Sequence, residues 1–461
     1  MGSEYSSASE KLPGLLKEFL LYNRFQLSDK DKEGFGEQKS REVVKGNEAM
    51  RCHICGLEFG KEQHNEAYEH YEECALTQRA DNWQEDPLNY NIFKEFKSKL
   101  ETLRIPWDEG YVKLFIGRSE LLLDSYCQLS DLNSRQLRSE FQVIFEGELA
   151  QDAGGLTKEW LNLLSKDLLT NDLRLFKPTN TEDKRFRISN NSLPEFHKLL
   201  GRVIGKAILS DIPLNCPLSF VILKQILGQH VPKEDIRYID LDLYKAMKFM
   251  ESEPIEGVFF ETFSVIDKDR VVPLVDHGQE ISVTDENKDE YISLRAEYEL
   301  QTSAFESLKA LKSGIFDVVP EEFFHGMGCE ELDLLICGKL EVDLEDWRRF
   351  TEYRGSYGPG HQVICWFWEV LGDVGQEKMG NLLSFVTGCS RAPVEGFEHL
   401  KTHRGESAWF SIESVGFSKG VLPRAHTCFN RIDLPVYPSK KDLRDALEFV
   451  MGCGNLGFYL E

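Results

Sequence analysis

The stretch Leu422-Pro423-Arg424-Ala425-His426-Thr427-Cys428-Phe429-Asn430-Arg431-Ile432-Asp433-Leu434-Pro435 decides how this chain is read. Pro423 and Pro435 bracket it, and proline neither fits inside a helix nor donates to a central strand. The expectation is a loop that presents one thiol. With the middle extended, alternate side chains share a face, so Arg424, His426 and Cys428 point the same way, adjacent members about 7 Å apart. Cationic neighbours favour the thiolate, which is the nucleophilic form. An ordinary thiol, with a pKa of about 8.5, is only a few per cent ionised at neutral pH, so modest help matters. On residue types alone, the alternative is a buried structural cysteine.

All fourteen positions resemble the active-site loop of the HECT family of ubiquitin ligases. In that family the cysteine takes ubiquitin from a conjugating enzyme as a thioester and passes it to a substrate lysine. The resemblance implies that Cys428 is the acceptor, that His426 and Arg424 tune or orient it, and that Thr427 and Phe429 shape the loop. Other stretches resemble the same family: Phe145 to Trp160, Gly201 to Ile208, Val283 to Lys288, Leu334 to Gly338 and Leu382 to Arg391. Together they cover about Asp81 to Glu461. They imply a mixed α+β, bilobal fold with a mainly helical amino-terminal lobe over 81–354. Its part 234–330 would dock the conjugating enzyme. A hinge would follow at 355–360, then a smaller α/β carboxy-terminal lobe over 361–461. Cys389 departs from the pattern where threonine is usual, and Val436 where a second proline is. Phe458, fourth from the end, matches an aromatic that supports transfer to lysine rather than loading.

Composition narrows the partners. The 461 residues allow two to four domains with sizeable cores. With 54 Lys and Arg against 78 Asp and Glu, the formal charge is −24. That disfavours nucleic acid and suits a partner with a basic face. The 11 cysteines are odd in number and mostly scattered, and no signal peptide is visible. A reducing compartment, cytoplasmic or nuclear, is expected. No apolar run reaches membrane-spanning length, so no membrane partner is expected.

Residues 1–50 read as a flexible segment, with the charged, apolar-poor part 28–45 as a linker. Residues 51–80 read as a zinc finger. Cys52 and Cys55 form a CxxC knuckle, and His70 and Cys74 lie four apart on a helix expected over Lys61 to Cys74. This is the soft tetrahedral set of a single structural zinc. His64 competes as a ligand and His53 is a distant third. The arrangement resembles small ubiquitin-binding fingers.

Elsewhere, helical periodicity begins at Ile92, and Tyr111 to Ile116 reads as a strand. Two glycine patterns are rejected as phosphate sites. Gly201 to Ala207 has the wrong spacing for a P-loop, and Gly452 to Gly457 leaves no room for a following helix. Gly355-Ser356-Tyr357-Gly358-Pro359-Gly360 reads as a breaker cluster and a hinge. Trp366, Phe367 and Trp368 read as core.

The expected function is a HECT-type ubiquitin ligase whose partners are ubiquitin, a conjugating enzyme and protein substrates. Two readings from other classes stay open. One is a non-catalytic ubiquitin-binding scaffold. The other is a cysteine protease acting on ubiquitin, with a base such as His399 or His403 supplied from elsewhere in the chain.

Overall fold

The computed structural model describes residues 50–51, 58–59, 87–148, 155–181, 183, 185–190, 193–267, 270–339, 341–401 and 408–453. The candidate metal ligands Cys52, Cys55, His70 and Cys74 lie outside these, as do His53, His64, the 28–45 linker, His403 and Phe458. Two compact units divide the chain, 1–97 and 98–461. In the first, strand β1 (Met50–Arg51) pairs antiparallel with β2 (Glu58–Phe59), Met50 opposite Phe59 and Arg51 opposite Glu58. Helix α1 (Pro87–Glu101) contains the expected periodic stretch, with Phe93, Phe96 and Leu100 buried.

The larger unit includes β3 (Tyr111–Ile116), whose bounds are those read from its apolar and aromatic content. It pairs in parallel with β4 (Glu140–Phe145) after the crossover of α2 (Leu121–Leu129) and α3 (Ser134–Arg138). Leu114 and Ile116 on one strand, and Phe141, Val143 and Phe145 on the other, face the core. Next come α4 (Gly155–Thr170), the antiparallel pair β5 (Phe176–Pro178) and β6 (Phe186–Ile188), and α5 (Pro194–Ser210). Helix α5 is buried nearly all round, the pattern of a helix at the centre of its domain.

A second core is built from α6 (Phe220–Ile226), α7 (Leu241–Ser252), the hairpin β7 (Ser264–Asp267) and β8 (Arg270–Pro273), and α8 (Lys288–Leu300). It includes Val221, Ile236, Met250, Phe263, Tyr291 and Leu300. This core spans 221–300 rather than the expected 234–330. Helix α9 (Phe305–Val318) returns to pack along α5 instead. Leu311 is fully buried there, whereas Phe305 is exposed.

Glycine makes that packing possible. A Cβ on Gly201 would strike the Leu311 carbonyl, one on Gly314 would strike the Lys198 carbonyl, and one on Gly205 would sit 2.9 Å from the Ile315 carbonyl. The Gly201-to-Ala207 pattern therefore serves helix contact, not phosphate. Arg202 and Lys206, on the same helix, are buried with partners: Arg202 with Asp317, and Lys206 donating to the Ser139 carbonyl at 2.5 Å. Burial pushes the Lys206 ammonium down to about 7.

Helix α10 (Cys329–Cys337) ends the helical body at Gly338. The next core already includes Val342, Trp347 and Tyr357. It is built on α11 (Leu344–Arg349), β9 (Thr351–Arg354), α12 (Gln362–Asp373), α13 (Gln376–Thr387), β10 (Phe410–Val415), β11 (Arg424–His426), β12 (Arg431–Pro435) and α14 (Lys440–Cys453). Strand order is β11-β12-β10-β9, with β9, β10 and β12 parallel and β11 antiparallel. Phe367, Leu371, Leu382, Val386, Leu443 and Leu447 cover the apolar face of the sheet. The Trp347 ring stacks on Phe397 at 5.2 Å.

The 355–360 cluster thus joins β9 to α12 inside one core and does not separate two bodies. Tyr357 in its middle is buried, and Ser356 N donates to Ser414 Oγ at 2.7 Å. Among the described residues, no helix is long and apolar enough to cross a membrane.

The glycine contact yields a test. Gly201→Ala and Gly314→Ala should each lower stability by about 1–3 kcal/mol or more in urea unfolding, through overpacking against backbone. Gly358→Ala, in open space, should change it by less than about 0.5 kcal/mol. An unchanged midpoint in Gly201→Ala contradicts the packing account.

Candidate active site

Strand β12 runs between β10 and β11, and its alternation decides which residues face outward. Ile432 and Leu434 are fully buried beside Phe410 and Ile412. Period two then sends Arg431 and Asp433 to the other face. Register adds Arg424 and His426 from β11, and Ser411 and Glu413 from β10, to that polar face. Pro435 closes β12 at its end, paired with Val415.

The β11–β12 hairpin turns through Thr427–Phe429, a single 3-10 turn, and Asn430 in the left-handed region (φ 49°, ψ 42°). Cys428 occupies the apex of this turn. The extended row of Arg424, His426 and Cys428 is therefore interrupted: Arg424 and His426 share a strand face, but the chain leaves the strand at Thr427. Asn430 N donates to the Thr427 carbonyl at 3.4 Å, and asparagine is among the few residues that adopt φ > 0 at modest cost.

The surroundings of the turn are largely polar and specific. His426 Nε2 lies 2.8 Å from Asp433 Oδ2, so the imidazole is held across the hairpin by a carboxylate. Arg431 Nη1 pairs with Glu413 Oε2 at 2.9 Å, and Arg424 is exposed. Phe429 is 59% exposed. It lines a shallow depression of about 260 Å³ with Trp409, Ala408, Glu352 and Arg354.

Asn430 is fully buried, and its Nδ2 donates to the carbonyls of Ala408 (2.8 Å) and Lys401 (3.2 Å). It thereby ties both ends of the 401–408 segment to the turn. The residue stood in the quoted stretch with no role assigned. Its one legible cue was an asparagine directly after a tight turn.

Three other thiols are poorly suited to chemistry. Cys216, Cys337 and Cys389 are free and buried, and burial pushes all three thiols up, Cys337 to about 12. Cys389 donates to the Pro213 carbonyl at 3.2 Å, so this departure from the family pattern sits where the sheet-bearing body meets the helical body. His399, weighed as an external base, is exposed at the end of a short turn, Phe397–His399.

These features place the chain by class. The HECT-domain (ubiquitin-transferase) family matches residues 162–461, which include the helical body from the middle of α4 onward, the sheet and the Cys428 turn. The chain belongs to that family. It is 37% identical over 347 residues to an E3 ubiquitin-protein ligase TOM1-like of Neurospora crassa, covering 73% of this chain and 8% of that protein. Identity to the E3 ubiquitin-protein ligase pub1 of Schizosaccharomyces pombe is 35% over 351 residues, 74% of this chain and 45% of that protein. With the probable E3 ubiquitin-protein ligase TOM1 of Eremothecium gossypii it is 35% over 364 residues, 77% of this chain and 11% of the relative. The chain thus spans less than half the length of these relatives.

Behind the site, the buried Tyr357 hydroxyl donates to the Leu434 and Pro435 carbonyls at 3.0 and 2.9 Å. Tyr357→Phe leaves these oxygens without that donor and should cost about 1–2 kcal/mol in urea unfolding. A wild-type midpoint in this variant contradicts the role given to that hydroxyl in holding β12.

Proposed function

We propose that this chain is a ubiquitin ligase that works through a thioester on Cys428. The observation that carries the reading is the placement of Cys428, within the matched family region, at the apex of a hairpin whose flanks are a fully packed sheet. In the first step the Cys428 thiolate attacks the thioester carbonyl joining ubiquitin to a conjugating enzyme, and that enzyme's cysteine leaves as its thiol. In the second, a substrate lysine amine attacks the new thioester. An isopeptide bond forms and the Cys428 thiol is released. Splitting one acyl transfer into two is ordinary covalent catalysis.

His426, held by Asp433, orients the approach to the turn, and Arg424 contributes positive charge from the exposed strand face. Thr427 anchors the turn through its carbonyl. The separate 221–300 core serves as the docking part for the conjugating enzyme. The two bodies change pose about the segment between Gly338 and Val342. Phe458 assists the transfer to lysine. Free thiols at Cys216, Cys337, Cys365 and Cys389 support a reducing compartment, cytoplasmic or nuclear.

The amino-terminal unit holds one zinc through Cys52, Cys55, His70 and Cys74. The antiparallel pairing of Met50–Arg51 with Glu58–Phe59, the residues that flank the CxxC knuckle in sequence, supports this reading. The zinc would order the finger without entering the transfer chemistry.

Incubation with activating enzyme, conjugating enzyme and ubiquitin, read on gels with and without reductant, tests the first proposal. Cys428→Ala should abolish the reductant-sensitive adduct, while Cys389→Ala and Cys453→Ala keep it. Phe458→Ala should load normally and lose discharge to lysine in single turnover. An adduct surviving in Cys428→Ala refutes the assignment; cleavage of di-ubiquitin instead of loading favours a protease, and neither reaction a scaffold. Metal analysis tests the second. About one zinc per chain should be found, lost in the Cys52→Ser, Cys55→Ser double variant with loading little changed. Zinc-free wild type overturns it.

A further inference from the structure

We propose that Lys158 and Asn430 are positioning residues that together register the Cys428 turn against the helical body, through one shared acceptor, the Lys401 carbonyl. The inference rests on the thioester reading of Cys428.

Lys158 lies on α4 and is 7% exposed. Its Nζ donates to the Lys401 carbonyl at 3.2 Å, across 243 positions of sequence. The same oxygen accepts from Asn430 Nδ2 at 3.2 Å. Asn430 is two residues from Cys428 and shapes its turn. One carbonyl therefore joins an ammonium of the helical body to the amide that holds the thiol turn.

The neighbouring contacts fix the same pose. Asn162, one helical turn along α4, donates through Nδ2 to both the Lys158 carbonyl and the Gly388 carbonyl, each at 3.1 Å. Lys401 Nζ pairs with Asp211 Oδ2 at 3.1 Å. Asp211 is the left-handed cap that ends α5, the helix packed at the centre of the body (φ 57°).

An ammonium with little access to water is costly unless its donors are satisfied, and this one is satisfied in part by an oxygen of the other body. When the bodies separate, Lys158 exchanges that oxygen for solvent and Asn430 loses its co-donor. The contact thus biases one arrangement of the bodies. It transmits that bias to the turn through a single oxygen. A few ångströms of misplacement at the turn are enough to slow attack on or from a thioester.

The reaction requires Cys428 to meet two different partners in succession, so a device that favours one pose acts unequally on the two steps. That inequality separates positioning from general stability, which would lower both steps together.

The test uses Lys158→Met, which keeps the apolar stem, and Asn430→Gly, which tolerates the left-handed backbone while removing the amide. Loading of Cys428 and single-turnover discharge to lysine are measured for each variant and for the pair, on full-length protein, with thermal melts alongside. Each single variant should slow one of the two steps about tenfold or more and the other less than about threefold. The double variant should lose less than the product of the singles on the affected step, by about fivefold, because both donors serve one oxygen. Lys158→Arg should restore the affected step at least in part. Equal slowing of both steps, no slowing, or strictly multiplicative losses overturns the proposal. Should Asn430→Gly fail to fold, Lys158→Met and its arginine rescue decide alone. Failure of the thioester reading itself is distinct: there, Cys428→Ala would still form the adduct in the wild-type background.

Discussion

The burial of Phe410 and Ile412 on β10, and of Ile432 and Leu434 on β12, is the constraint on which the site depends. Phe410, Ile412, Ile432 and Leu434 have no exposed surface, and a one-residue slip of either strand would turn those side chains to water. That cost pins the register. With the register pinned, Arg431, Asp433, Glu413 and His426 have no choice of face, and the hairpin must turn after His426. The backbone turn that carries Cys428 is placed by the locked strands on both sides.

Polar order is then added by a few buried groups. Asn430 gathers the Lys401 and Ala408 carbonyls, His426 is held by Asp433, and the Tyr357 hydroxyl serves the far end of β12. Asn430 and Tyr357 thereby satisfy backbone carbonyls that have little access to water. The same economy appears in the helical body. There α5 and α9 approach so closely that only glycine fits at their crossing, and the cations Arg202 and Lys206 are matched by Asp317 and the Ser139 carbonyl.

Much of this was legible in the residues, and the misses have physical causes. The strand at Tyr111–Ile116 was readable because apolar and aromatic content is a local property. Phe367 and Trp368 were readable as core from their aromatic cluster, with Trp366 packed against that core only partly buried. The wording of the thiol loop carries the family resemblance but not its geometry: the extended alternation expected through Cys428 stops at His426, and the turn begins at Thr427. Nothing in Arg424 to Cys428 alone opposes an extended row; the left-handed Asn430 that ends the turn lies beyond it. The Gly355–Gly360 cluster has the composition of a linker, yet Tyr357 in its middle is anchored in the core. Composition reports backbone freedom; it cannot report which side chain is buried by strands 60 to 80 residues away. Nothing local marks the meeting of Lys158 with Lys401, which is created by tertiary packing.

The central claim is that Cys428 carries ubiquitin covalently, and replacing its sulfur by oxygen tests this most directly. Cys428→Ser, incubated with activating enzyme, charged conjugating enzyme and ubiquitin, should accumulate an adduct that resists reductant but is released by mild base, the behaviour of an oxyester. Peptide mass spectrometry should place ubiquitin's terminal glycines on residue 428. An adduct in this variant that remains cleavable by reductant, or that maps to another residue, would contradict the account.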